Sequence, residues 1–306
     1  MNDMIRATLA DPDDQAGSAT RERRTGFLCA FGVLFVWSGF LLSARLSPSL
    51  GLTPFDMLAL RHGGAFLAAL PVLAWRGLPR ISLPRAAVLT VFAGFGFPYA
   101  AYLGFSMAPA ADGAVLLPGL LPFSIALVWW VAFGEKPKGR RFLSLVIVGT
   151  GIALIASETV GAWPGAWRGD LIFPLGGLSW ALYMACVKRW EVSALDATLV
   201  VMLLAAPVTL PLWWLFGGGS IAAAPLLPVV LQTIYQGLFA VLLAGFLFTR
   251  AMNSIGAETT SAITSLVPGM TALAAWPLLG EPLGVAALTG LAVVTAGMVL
   301  GVTGSR

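Results

Sequence analysis

Arg61 and His62, in "DMLALRHGGAF", are strongly polar neighbours well inside an otherwise apolar run. A guanidinium fork holds a carboxylate or a phosphate, and an imidazole titrates near neutral pH. A cation within hydrocarbon costs a few kcal/mol or more unless it faces a wet cavity or a partner, which makes the pair a candidate binding site. The same positions also suit an Arg61 that snorkels to a nearby interface while His62 bonds a carbonyl. Aromatic residues form a second set. Trp37 and Trp180, Tyr99 and Tyr102 three apart, Tyr183 one turn from Trp180, and Tyr235 beside Gln236 offer flat apolar surface with a few hydrogen-bonding tips. Such walls hold a small amphiphile, although each ring alone also fits ordinary interfacial packing. Covalent or hydrolytic chemistry is not indicated. There is one histidine, no H-E-x-x-H and no carboxylate pair in the middle of a run, so the chain does not read as an enzyme. Cys29 and Cys186 both lie in apolar runs, implying neither a disulfide framework nor a metal cluster, and no cofactor is called for.

The elements that must position these residues are membrane helices. Of 306 residues 58% are hydrophobic and 10% charged, and the mean hydropathy is +0.88, beyond what a water-exposed surface carries. Ten apolar runs, at 26–44, 55–75, 86–108, 113–133, 142–157, 170–188, 197–216, 228–250, 259–279 and 284–303, have about the length an α-helix needs to cross ~30 Å of hydrocarbon. The runs are continuous, whereas barrel strands would alternate apolar and polar. Residues 1–25, with "DPDDQAGSATRERR", read as a disordered cytosolic tail, and the run after them as a retained helix rather than a signal peptide.

Basic residues sort the loops. With a cytosolic N-terminus, 15 of the 18 Lys and Arg fall on that side and only Arg45 and Arg168 on the other, Arg61 lying within a helix. The positive-inside bias then predicts ten spans with both termini cytosolic. The net charge of +4 is a topology signal and not a nucleic-acid footprint, and "KPKGRR" fits anionic lipid head groups.

The chain also echoes itself. A shift of 146 residues carries Ala111, Pro122, Trp130, Gly134, Glu135 and Gly151 onto Ala257, Pro268, Trp276, Gly280, Glu281 and Gly297. Trp37 likewise matches Trp180, and Asp56 with Pro71 matches Asp196 with Pro211. Because the repeated unit has five helices, an odd number, the second copy enters the membrane upside down. Glu135 is expected on the cytosolic side and Glu281 outside, each in a structural turn at a helix end. Pro122 and Pro268 are candidate hinges or packing kinks, and Asp112 and Glu258 are expected to cap helix starts.

A Trp in the first helix of each half ("LFVWSGF", "GGLSWALY"), the small-residue entries "APAADGAVL" and "SIGAETTSAI", the helix Pro and the Gly-Glu end together resemble the drug/metabolite transporter superfamily, EamA type. The resemblance covers nearly everything after residue 25, with repeats at 26–157 and 170–303. It implies ten helices around a central cavity and an exporter of amino acids, other small metabolites or drugs, working by alternating access with its substrate near the midplane. Trp37, Arg61, His62, Tyr99, Tyr102, Trp180, Tyr183, Tyr235 and Gln236 are the expected cavity residues. The expected partners are a small-molecule substrate and the lipid bilayer of the plasma (inner) membrane, with no nucleic acid. No span has an Asp or Glu near its middle, which favours neutral or zwitterionic metabolites over a proton-driven pump for cationic drugs. A multidrug exporter is the neighbouring reading, and a membrane structural subunit the one from a different class.

Overall fold

The structure, a computed structural model, describes residues 12–137, 139–159, 164–217, 220–281 and 283–302. Among these every long element is a helix: α1 (Pro12–Leu46), α2 (Pro54–Arg76), α3 (Leu83–Phe105), α4 (Ala110–Phe133), α5 (Gly139–Thr159), α6 (Trp167–Trp190), α7 (Ala194–Phe216), α8 (Leu226–Gly256), α9 (Thr259–Leu279) and α10 (Val285–Val302). Eight are long and apolar enough to cross a membrane, and Val285–Gly301 is a shorter apolar helix. Large apolar side chains such as Trp75, Val131 and Trp214 point away from the bundle. A surface of that kind belongs in lipid, where only elements that satisfy their own backbone groups survive.

Helix α1 begins at Pro12, so residues 12–25, expected as a disordered tail, instead extend the first span. Glu22 anchors the extension, accepting from Arg250 Nη2 and Ser254 Oγ of α8, both at 2.7 Å. The expectation that Glu258 caps a helix start rests on a side chain outside those described.

The two five-helix repeats are inverted copies, and their local signatures recur in pairs. Thr53 and Ser193 each cap a helix by accepting from the backbone N–H three residues on, of Asp56 and Asp196. Helices α3 and α8 each contain a π-helical stretch, Thr90–Gly96 and Ile234–Leu243. Helices α4 and α9 are both interrupted just before their proline, at Leu120 and near Leu266, so that Pro122 and Pro268 open the following segment, where a missing N–H costs least. Both then end on a left-handed glycine, Gly134 (φ 73°) and Gly280 (φ 69°), whose Glu sends its N–H back to the carbonyl six residues earlier. This is a Schellman-type stop, and Gly-Glu therefore recurs because Gly alone adopts that φ without strain.

Between the halves, α1 packs on α8 and α6 on α3, two contacts exchanged by the pseudo-twofold, while α2 packs on α7 and α5 on α10 across it. The α5–α10 contact is a close one. A Cβ on Gly151 would lie 2.6 Å from the Gly290 carbonyl oxygen and one on Gly290 equally near that of Gly151, and Ser144 Oγ donates to Gly297 O (2.7 Å). Small residues let backbones meet where lipid offers no hydrophobic drive. Gly290→Val is expected to destabilise the fold by about 1–3 kcal/mol through overpacking. Gly245→Ala, at a position open to its surroundings, should not. Thermal unfolding in detergent separates the two.

Candidate functional site

Helix α2 carries Arg61 and His62 into the bundle between α3 and α8, and successive residues of a helix point about 100° apart. The two side chains therefore part. Arg61 Nη1 donates to both the backbone oxygen (3.4 Å) and Oε1 (3.3 Å) of Gln236 in the π-helical stretch of α8, and its guanidinium lies over Phe40 at 5.3 Å. Tyr102 Oη also donates to Gln236 Oε1 (2.8 Å), and Gln236 Nε2 donates to Ser43 Oγ (2.7 Å). Arg61, Tyr102 and Gln236 are thus one buried cluster contributed by α2, α3 and α8. Among the described residues no carboxylate lies within ion-pair range of Arg61.

His62 turns the other way. Its Nε2 is 2.8 Å from Gly94 O and its Nδ1 is 2.6 Å from Thr209 Oγ1. A carbonyl only accepts, so Nε2 carries the hydrogen and a neutral ring accepts from Thr209 at Nδ1. Gly94 belongs to the π-helical stretch of α3, whose Phe92 O accepts from the Phe97 N–H. Ser179 Oγ adds a second donor to that oxygen, at 2.8 Å.

The remaining aromatic candidates sit in the seams between halves. Trp37 of α1 stacks on Phe248 of α8 (5.4 Å), and Trp180 of α6 on Phe97 of α3 (5.0 Å) and Tyr183 (5.1 Å), so the two tryptophans occupy the two twofold-related contacts. Tyr235 reaches across to α1, donating to Val36 O (3.0 Å) over Gly39, where a Cβ would collide with its hydroxyl. Tyr99 is exposed and stands apart from the cluster.

Two ion pairs that the sequence did not single out close the ends. Arg45 Nε donates to Glu281 Oε1 at 2.8 Å, and Lys188 Nζ to Glu135 Oε1 at 3.2 Å. Arg45 and Lys188 stand at the same spacing as Trp37 and Trp180, so the two pairs are repeat mates at opposite ends. They are unequal. The Arg45 and Glu281 side chains are 20% and 10% exposed, and Glu281 Oε2 also accepts from Ala110 N (2.6 Å). Those of Lys188 and Glu135 are 48% and 52% exposed, with Lys188 resting over Trp129 and Phe133. Glu281 rather than Asp112 serves the start of α4, because both Asp112 oxygens are buried without a hydrogen-bond partner.

The family model of the EamA-like transporter family matches residues 24–157 and again 167–303. The chain belongs to this family. As an EamA-like transporter it is an integral membrane protein that carries small substances, with one family unit per repeat. No curated protein matches the chain. Among 24 matching chains of solved structures, one described only as "Crystal structure of protein" covers 91% of this chain and 97% of its own, with TM-score 0.62 and 16% identity. That likeness shows the shared fold alone.

In this EamA-like chain His62 holds helices together. His62→Phe, which leaves the Gly94 carbonyl and the Thr209 hydroxyl unpaired, should cost about 1–3 kcal/mol for each orphaned group. The check is a lower thermal midpoint in detergent, with a smaller fall for Thr209→Val.

Proposed function

We propose that this transporter exports amino acids or similar small carboxylate-bearing amphiphiles by alternating access, with both termini cytosolic. The observation that carries the reading is Arg61, a buried cation at the junction of α2, α3 and α8 whose hydrogen bonds, at 3.3 and 3.4 Å, are to neutral oxygens. An uncompensated charge in low dielectric gains most from an anion that arrives and leaves, and the planar fork suits a carboxylate. Phe40 and Tyr102 beside it supply apolar surface and a hydroxyl for the rest of such a molecule. Lipophilic cations, the usual multidrug cargo, would be repelled by the same charge.

Alternation is supported by the two repeat-related ion pairs, one buried and short, the other half-exposed and longer. Inverted repeats exchange roles when the carrier turns over, so one repeat-related pair held in two unequal forms is what half a cycle looks like. Leu120 and Leu266, each preceding a proline, are the places where α4 and α9 can bend. The expected direction of insertion follows from the 15 basic residues gathered on one side.

Counterflow in proteoliposomes containing only this protein tests the substrate class. Arg61→Gln should lower transport of an amino acid by about 10–100-fold, the worth of a charge-assisted contact of ~1.5–3 kcal/mol, and Arg61→Lys should retain part of it. The matching amine without a carboxylate should be carried poorly by all three proteins. A folded Arg61→Gln protein that transports normally would sink the reading. For orientation, in a variant lacking Cys29 and Cys186, a cysteine at Leu78 should label only from the cytosolic side and one at Ser49 only from outside. Labelling of both from one side contradicts the assigned topology.

A further inference from the structure

Asp112, which is buried, and Asp170, which is partly buried, are carboxyls that neither the helix architecture nor the Arg61 cluster uses. Asp112, in the first turn of α4, is 1% exposed, and neither of its oxygens has a hydrogen-bond partner. Asp170, in the first turn of α6, presents a buried and equally unpartnered Oδ1. The two carboxyls lie within hydrogen-bonding reach of each other. An ionised carboxylate only accepts, so two of them face to face satisfy nothing and repel; with one proton between them, one donates to the other.

The surrounding charges leave room for that proton. Glu281, at the end of α9, is near enough to Asp112 to act on its charge, and Arg45 from α1 is already spent on Glu281 and on Phe105 O. Arg168 on α6 lies over the exposed ring of Trp167. Three carboxyls thus face one guanidinium at the end of the bundle that the buried ion pair closes. Among the described residues no group of three or more ligating side chains has the arrangement of a metal site.

We propose that Asp112 and Asp170 form a proton-binding site, and that the proton shared between them holds the Arg45–Glu281 end shut. Its loss to water or buffer leaves two carboxylates in contact, an arrangement relieved only when water enters between α4 and α6. Deprotonation and opening of this end are therefore linked, and rising pH favours the open form. The site's ligand is the proton itself, and it needs neither the substrate assignment nor the direction of transport to hold.

Two readouts on the full-length protein, neither requiring substrate, test this. Infrared difference spectra on raising the pH should show loss of the C=O stretch of a protonated carboxyl from the wild type, and the band should be absent from both Asp112→Asn and Asp170→Asn. Alkylation of Ser106→Cys, in the loop leading to α4 and in a background without Cys29 and Cys186, should quicken with pH relative to the reference cysteine at Leu78. The increase should be at most about tenfold per pH unit, the limit for one linked proton, and should vanish in Asp112→Asn. No such band in the wild type overturns the shared proton, even if the variants fail to fold. A band with pH-independent alkylation overturns the link to opening, and a sodium-dependent thermal shift without the band would assign the pair to a metal cation and overturn the proposal.

Discussion

The arrangement of the bundle depends on two neighbouring residues of α2 whose side chains donate to backbone carbonyls of the helices on either side. Both carbonyls lie in π-helical stretches, where the backbone departs from the regular α-helical ladder. The two stretches fall in the repeat-related helices α3 and α8, which lie on either side of α2. Consecutive residues of α2 answer them, His62 reaching Gly94 O and Arg61 reaching Gln236 O. One donor is a neutral imidazole with both nitrogens occupied. The other is a cation whose hydrogen bonds are to neutral oxygens.

The repeat supplies symmetry, and side-chain chemistry breaks it. Arg45 and Lys188 occupy equivalent positions opposite equivalent glutamates, yet guanidinium and ammonium do different work. The fork of Arg45 contacts Glu281 and Phe105 O together, while Glu281 also takes the Ala110 N–H, so α1, α3, α4 and the end of α9 are pinned at one point. Lys188 offers a point charge over Trp129 and Phe133, partly in solvent, where an ion pair is worth little. The repeat mates thus differ in burial, and Arg76–Asp196 and Arg250–Glu22 add two further ion pairs on the Lys188–Glu135 side.

Much of this was legible beforehand. Span length, apolar continuity and a shift of 146 residues lead to an inverted ten-helix architecture, because hydrocarbon thickness and the demand for internal backbone pairing leave few solutions. Trp37 and Trp180 are legible as a pair for the same reason, and they do occupy twofold-related seams. Asp112 read as a cap because it begins a helix, but the cap is served by a glutamate 169 positions further along the chain, leaving the aspartate to face Asp170.

By itself the sequence determined the medium, the number of helices and their inversion, since these follow from local hydropathy, charge bias and self-similarity. Only the tertiary structure decided which neighbours Arg61 and His62 would meet, that Arg45 and Lys188 would close opposite ends, and that two carboxyls would be buried against each other. Those are contacts between groups 32 or more residues apart. Their partners are set by how helices rotate and cross, and a helix that is apolar on nearly every face carries almost no periodic signal of which face turns inward.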